Sequence, residues 1–289
     1  MQLEFVEPDS RLSSFISLYY RARSDDTEIS EIDRADVGQI RFLLKGTGHM
    51  EFHDGSTGHN RPVILTGPGS AAARIRLKGP IDVVGCSVLP LAWGGGILNA
   101  DARDHADRLC DAMPLLGNEF ADINARMSAM GDLNDMKTIL DALFIGRIRK
   151  IRAATVQGAE QIRAWLSSSN DPQVKQLTGG SPSQERRFNR IANRHFGGPP
   201  KALARKIRAL KAAQVIMLNN GEMCDAAIGP FYDQSHMVRE IKRFTGKSPG
   251  KLVSPDELLL QLLLDRPYFR ELEPDGPDRS KPPSRLQSS

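Results

Sequence analysis

The chain has 289 residues, 40% of them apolar, which is enough to bury a core in each of two compact domains and excludes a disordered chain. Glu4, Glu7 and Asp9 leave no room for a secretory leader, and no apolar run approaches the ~20 residues that cross a bilayer, so the expected location is the cytoplasm with no membrane partner. The net charge of +4 is unevenly spread: residues 1–146 hold 14 basic and 21 acidic side chains, 147–254 hold 20 and 7, and 255–289 hold 5 and 7, giving −7, +13 and −2.

A block at +13 repels itself, and the partner that offsets such repulsion is a polyanion, nucleic acid before an anionic membrane surface. Cys86, Cys110 and Cys224 are odd in number and scattered, so neither a disulfide framework nor a structural zinc is expected, and no metal or cofactor is assigned.

In chain order, short strands come first. Residues 39–44 alternate in part, Gly46-Thr47-Gly48 is expected to break them, 49–53 resume, and Asp54-Gly55 marks a turn; 62–66 and 81–89 add two more strands. That spacing suggests a small sandwich or barrel. After Pro90 the pattern turns helical, with helices expected over 100–111, 120–129 and 135–145; in the last, Met136, Ile139, Leu140 and Leu143 form one apolar face. These helices are expected to join the domains or to form a dimer contact. Among the histidines, His49 and His53 would share a face of one strand and His59 lies near, which makes a metal site in this half an alternative to consider. Residues 266–289 are poor in apolar side chains and are expected to be disordered.

The C-terminal half repeats itself at an offset of 49 residues. Gly180 meets Gly229, Phe188 meets Met237, Arg190 meets Arg239, Arg194 meets Arg243, Gly197 meets Gly246, Pro200 meets Pro249 and Leu203 meets Leu252, as two copies of one supersecondary unit would. In each copy apolar residues fall at helical spacing: Phe188, Ile191, Ala192 and His195 in the first, Met237, Ile241 and Phe244 in the second. The opposite faces carry Arg186, Asn189, Arg190 and Asn193, then Gln234, Ser235, Arg239, Lys242 and Arg243. Arg, Asn and Gln suit bidentate contact with base edges in a major groove, while Lys and Ser suit phosphate. A short helix and a glycine turn precede each, over 171–178 and 224–228, which reads as helix, turn, basic helix, twice. Pro199-Pro200 opens a helix reaching about Leu218, a spacer of roughly 28 Å between the two units.

At these residues the sequence resembles the AraC/XylS family of bacterial transcription regulators. Gly197-Gly-Pro-Pro-Lys-Ala-Leu-Ala-Arg205-Lys-Ile-Arg208 follows the family's linker pattern with Pro199 in place of serine, and Asp233-Gln-Ser-His-Met-Val-Arg239-Glu-Ile-Lys242-Arg-Phe-Thr-Gly246-Lys-Ser-Pro249 is close to its signature. The resemblance covers about 80 residues, from Val174 to Leu252. It implies base reading by Arg186, Asn189 and Arg190 in the first unit and by Gln234, Ser235 and Arg239 in the second, with His236, Lys242 and Arg243 packing or touching phosphate. Pro230-Phe231-Tyr232 and Asp225 depart from the family pattern, which implies a short or shifted first helix in the second unit.

The expected fold is α+β, with an N-terminal β-rich, cupin-like domain with helices and a C-terminal all-α double helix-turn-helix domain. The divisions are 1–146 for sensing or dimerisation, 147–265 for binding DNA, and 266–289 as a tail. The implied activity is sequence-specific regulation of transcription, not an enzyme. Double-stranded DNA is the first partner, with RNA polymerase, a small-molecule effector and a second copy of the chain as further ones. Two alternatives stand beside it, a sequence-indifferent DNA binder and a regulator whose N-terminal domain binds metal or catalyses.

Overall fold

The computed structural model describes residues 1–264 except position 118, and the expected tail lies outside the described residues. The N-terminal half is an antiparallel sheet of eight strands among the described residues: β1 (Gln2–Val6), β2 (Ile16–Ser24), β3 (Glu28–Asp33), β4 (Gly38–Glu51), β5 (Thr57–His59), β6 (Val63–Thr66), β7 (Ala73–Val88) and β8 (Leu109–Asp111). The order is β1-β2-β7-β4-β6-β8, with β3 added to β7 and β5 to β4. Long β4 and β7 pair from Gly38↔Val88 to Glu51↔Arg74 and form the spine of the sheet.

The strand alternation of side chains sorts the two faces. Ile40 and Phe42 of β4, Val84, Cys86 and Val88 of β7, and Val63 and Leu65 of β6 pack on one face against α1 (Met113–Leu116), α2 (Glu119–Ser128) and α3 (Leu133–Ile145), where Phe42 stacks on Phe120 and Phe120 meets Phe144 edge-on. Arg41, Leu43, Ile81 and Val83 point the other way, toward a cavity in the curl of the sheet.

Three expectations need correction. Gly46-Thr47-Gly48 does not break the strand: Gly46 takes φ +90°, the register shifts between Leu43 and Thr47, and β4 bends and continues through a bulge. The helix expected over 100–111 is a single turn at Ala102–His105 followed by strand β8. Asp107 stops the turn at φ +52°, its carboxylate accepting the Ser70 N–H and O–H, and Cys110 then pairs with Leu65 at the sheet edge. Of the two roles expected of these helices, the inter-domain one is not seen among the described residues: α2 and α3 cover the sheet, and the segments at 32–37, 67–72 and 89–105 make the domain contact.

The C-terminal half is all helix: α4 (Ala153–Ser167), α5 (Val174–Thr178), α6 (Pro182–Phe196), α7 (Pro200–Leu218), α8 (Asp225–Ile228), α9 (Gln234–Thr245) and α10 (Leu258–Leu264). Their apolar faces share one core, and Ala35 of the sheet domain is buried in it too. Helix α7 has 19 residues and runs through the middle, as its sequence predicts, burying among others Leu203, Ile207, Leu210 and Ile216. No helix among the described residues is long and apolar enough to cross a membrane.

Candidate nucleic-acid interface and the cavity of the sheet domain

In the first unit, α5 ends on Gly179 in the left-handed region and α6 begins with Pro182 in its first turn, where a missing N–H costs nothing. Phe188, Ile191, Ala192 and Phe196 are buried in the core shared with α4 and α7, while His195 is buried against the sheet domain. Arg186 and Arg190 stand exposed and Asn189 is half-buried on the opposite side, while the Asn193 amide donates to the Asn189 carbonyl at 2.8 Å. Arg187 lies over the Phe188 ring at 4.9 Å and bonds Gln161, which makes it part of the packing.

In the second unit α8 is a single four-residue turn. Asp233 caps α9 by accepting the His236 N–H at 2.6 Å. Gln234, Ser235, Arg239, Lys242 and Arg243 are all exposed, whereas the half-buried His236 ring meets Phe231 edge-on at 5.6 Å. Pro230 turns the chain so that Phe231 is buried and Tyr232 is 94% exposed just ahead of α9. Sequence patterning did not single out Tyr232, because nothing in it distinguishes which of two adjacent aromatics enters the core.

The Arg-x-x-Arg spacing in α7 has a mechanical role. Arg205 reaches forward to buried Glu240 of α9, with Nη2 to Oε1 at 2.6 Å. Arg208 reaches back to Asp171, ahead of α5, at 2.5 Å. One turn of α7 therefore ties both units, and Lys211 adds a third tie by donating to the Leu166, Ser167 and Ser169 carbonyls at the end of α4.

Both basic helices end on the sheet domain, at positions that match in the repeat. Arg194 pairs with Asp101 at 3.2 Å and donates to the Gly94 carbonyl, and buried His195 donates from Nδ1 to the Pro90 carbonyl at 3.1 Å. At the end of α9, the Arg243 and Phe244 carbonyls accept the Ala72 and Ala35 N–H groups. The two repeated glycines, Gly197 at φ +86° and Gly246 at φ +74°, cap their helices and also lie where a Cβ would strike Pro68 and Ile32. Between these contacts Lys206 of α7, buried, donates to the Asp36 carbonyl at 3.4 Å.

The curl of the sheet encloses a cavity of about 170 Å³ with largely aliphatic walls, to which Leu263 of α10 contributes. At its polar end Arg41 donates to Tyr20 Oη (2.9 Å), Thr66 Oγ1 (2.9 Å) and Asp33 (3.0 Å). Burial alone would lower the Arg41 pKa, but Tyr20 and Asp33 beside it raise it overall, so the guanidinium stays charged. Gly85 sits between Tyr20 and Arg41 on neighbouring strands; a Cβ there would come within 2.4 Å of the Tyr20 ring, so glycine is what lets the phenol lie across the strand.

The histidines do not converge. His49 faces His59 across β4 and β5 with ring centroids 5.6 Å apart, while the turn closing on Asp54-Gly55 begins before His53 and carries it off the strand to within 4.0 Å of Asp107. The expected shared face of His49 and His53 is lost with the strand.

No family model matches the chain, and no curated protein matches it. Among solved structures, ToxT from Vibrio cholerae is similar over 88% of this chain and 98% of its own at 10% identity and a TM-score of 0.43. A structure of ToxT from Vibrio cholerae O395 is similar over 83% and 97% at 14% identity and 0.43. The AraC-like transcriptional activator CuxR is similar over 73% and 86% at 14% identity and 0.29. Likeness this distant assigns no function.

Proposed function

We propose that this chain is a sequence-specific, DNA-binding regulator of transcription that lays α6 and α9 in successive major grooves, with residues 147–265 binding DNA in the cytoplasm and residues 1–146 sensing. The observation that carries this reading is the pair of helices related by the 49-residue repeat, each with its apolar face in one shared core and its Arg, Asn and Gln side chains turned out, within a block at +13. Arg186, Asn189 and Arg190 read bases from α6, and Gln234, Ser235 and Arg239 from α9. Lys242 and Arg243 hold phosphate, Tyr232 adds a phenol donor to the backbone, and His236 supports the helix from behind.

In this reading the cavity admits a small-molecule effector. Its polar wall touches the DNA-binding half: Gln39 donates to Asp36, another wall residue, and the Asp36 carbonyl accepts from Lys206 of α7. Competition between a duplex selected by the protein from a random pool and unselected duplex tests the proposal. A preference of about a thousandfold or more is expected, and one below about tenfold would favour a sequence-indifferent binder.

A further inference from the structure

The cavity wall carries a demand that its own residues do not meet. Gln39 is 5% exposed and lines the cavity from β4. Its amide nitrogen donates to Ser87 Oγ at 2.9 Å and to Asp36 Oδ2 at 3.3 Å. An ionised carboxylate only accepts, so the amide cannot turn over without setting its carbonyl against Asp36. The Gln39 Oε1 atom is thereby held in place, and no described residue donates to it. A buried acceptor of this kind calls for a donor.

The arginines around it are already paired. Arg41 pairs with Asp33 at 3.0 Å, and Asp36 with Arg34 at 3.1 Å. Arg23, further along the wall, pairs with Glu4. Burial, then Glu257, push the half-buried Glu31 carboxyl above its ordinary range, toward its neutral form. An incoming carboxylate would have to share Arg41 with Asp33, and an incoming ammonium would lose its water in a wall that is mostly apolar. Most of the remaining wall is apolar, with Leu43, Ile64, Ile75, Leu77, Ile81 and Val83, while Ser24 and Asn60 add polar groups at its edge. A volume of about 170 Å³ is close to that of an engineered apolar cavity of about 150 Å³ that admits benzene.

We propose that the effector is an uncharged molecule about the size of one substituted ring, apolar over most of its surface, which carries one hydroxyl or N–H donor placed on Gln39 Oε1. This rests on the sensing role proposed for the cavity. The test is made without DNA, so its failure is distinct from failure of the DNA-binding reading.

Three probes of one shape separate the terms: 4-ethylphenol has the donor, ethylbenzene lacks it, and 4-ethylbenzoate replaces it with an anion. Calorimetric titration of the full chain should show saturable binding of 4-ethylphenol about tenfold tighter than of ethylbenzene, the worth of one neutral hydrogen bond, with 4-ethylbenzoate weakest. Gln39→Met should bring 4-ethylphenol down to the affinity of ethylbenzene and leave ethylbenzene unchanged. Equal affinity for the phenol and ethylbenzene in the native chain would mean that water satisfies the amide, and would overturn the proposal. Tightest binding by the benzoate, or no saturable binding by any of the three, would overturn it as well. If Gln39→Met does not fold, the order of the three probes on the native chain decides.

Discussion

Arg190 and Lys242 are both exposed cations on amphipathic helices, yet chemistry separates them. A guanidinium placed on a guanine edge makes two parallel bonds that other base pairs do not offer, whereas an ammonium on phosphate makes a contact every sequence offers. Arg190→Ala should therefore relax preference at one base position and cost roughly 1–3 kcal/mol on the selected duplex. Lys242→Ala should weaken all duplexes alike and lower the salt slope by about one, and titrations at several salt concentrations check both. Single residues were legible in sequence where periodicity speaks: Phe188, Ile191, Met237 and Ile241 are buried at the spacing that predicts it. Partners far along the chain were not. Arg205 and Arg208 read as parts of a linker pattern, but their roles come from Glu240 and Asp171, 35 and 37 positions away.

The elements follow the same division. Helix α7 spans its expected residues because its stops are local: Pro199-Pro200 at one end, Asn219-Asn220-Gly221 at the other. The strands were harder. β1, β2 and β3 went unanticipated, and β4 was expected to break at a glycine pair that a bulge absorbs, since bulges answer to the partner strand and not to the sequence around them. The end of α6 makes a testable contact. Burial, with Arg194 adding to it, lowers the His195 pKa, while the Pro90 carbonyl and Asp101 oppose that. A folded-state pKa below the unfolded value of ~6.5 means that the unfolded chain takes up the proton first as pH falls. The contact's contribution is then complete above that value and is lost on acidification through it. Thermal melts from pH 7.5 to 5.5 should show stability falling, and His195→Gln should flatten the slope in part, since burial lowers the His105 pKa too. Identical slopes for the two proteins would remove His195 from the account.

Across the whole molecule, the sheet domain holds the C-terminal ends of both basic helices at once, while α7 ties their two units together from within. The repeat makes this economical, since Gly197 and Gly246 present equivalent helix ends to one surface. Charge asymmetry and repeat were visible in the sequence; the clamp was not, because it depends on loops at 67–72 and 89–105 whose placement only the folded sheet determines. Hydrogen bonds connect Gln39 of the cavity wall to Asp36, and Asp36 to Lys206 of α7. The proposed DNA-binding role sets the spacing of α6 and α9 along the duplex. Hydroxyl-radical footprinting on a selected duplex measures it directly: two protected tracts on one face, about one helical turn or 10–10.5 base pairs apart, are the predicted result. A single tract, or uniform protection with no period along the duplex, would contradict the insertion of α6 and α9 into successive grooves.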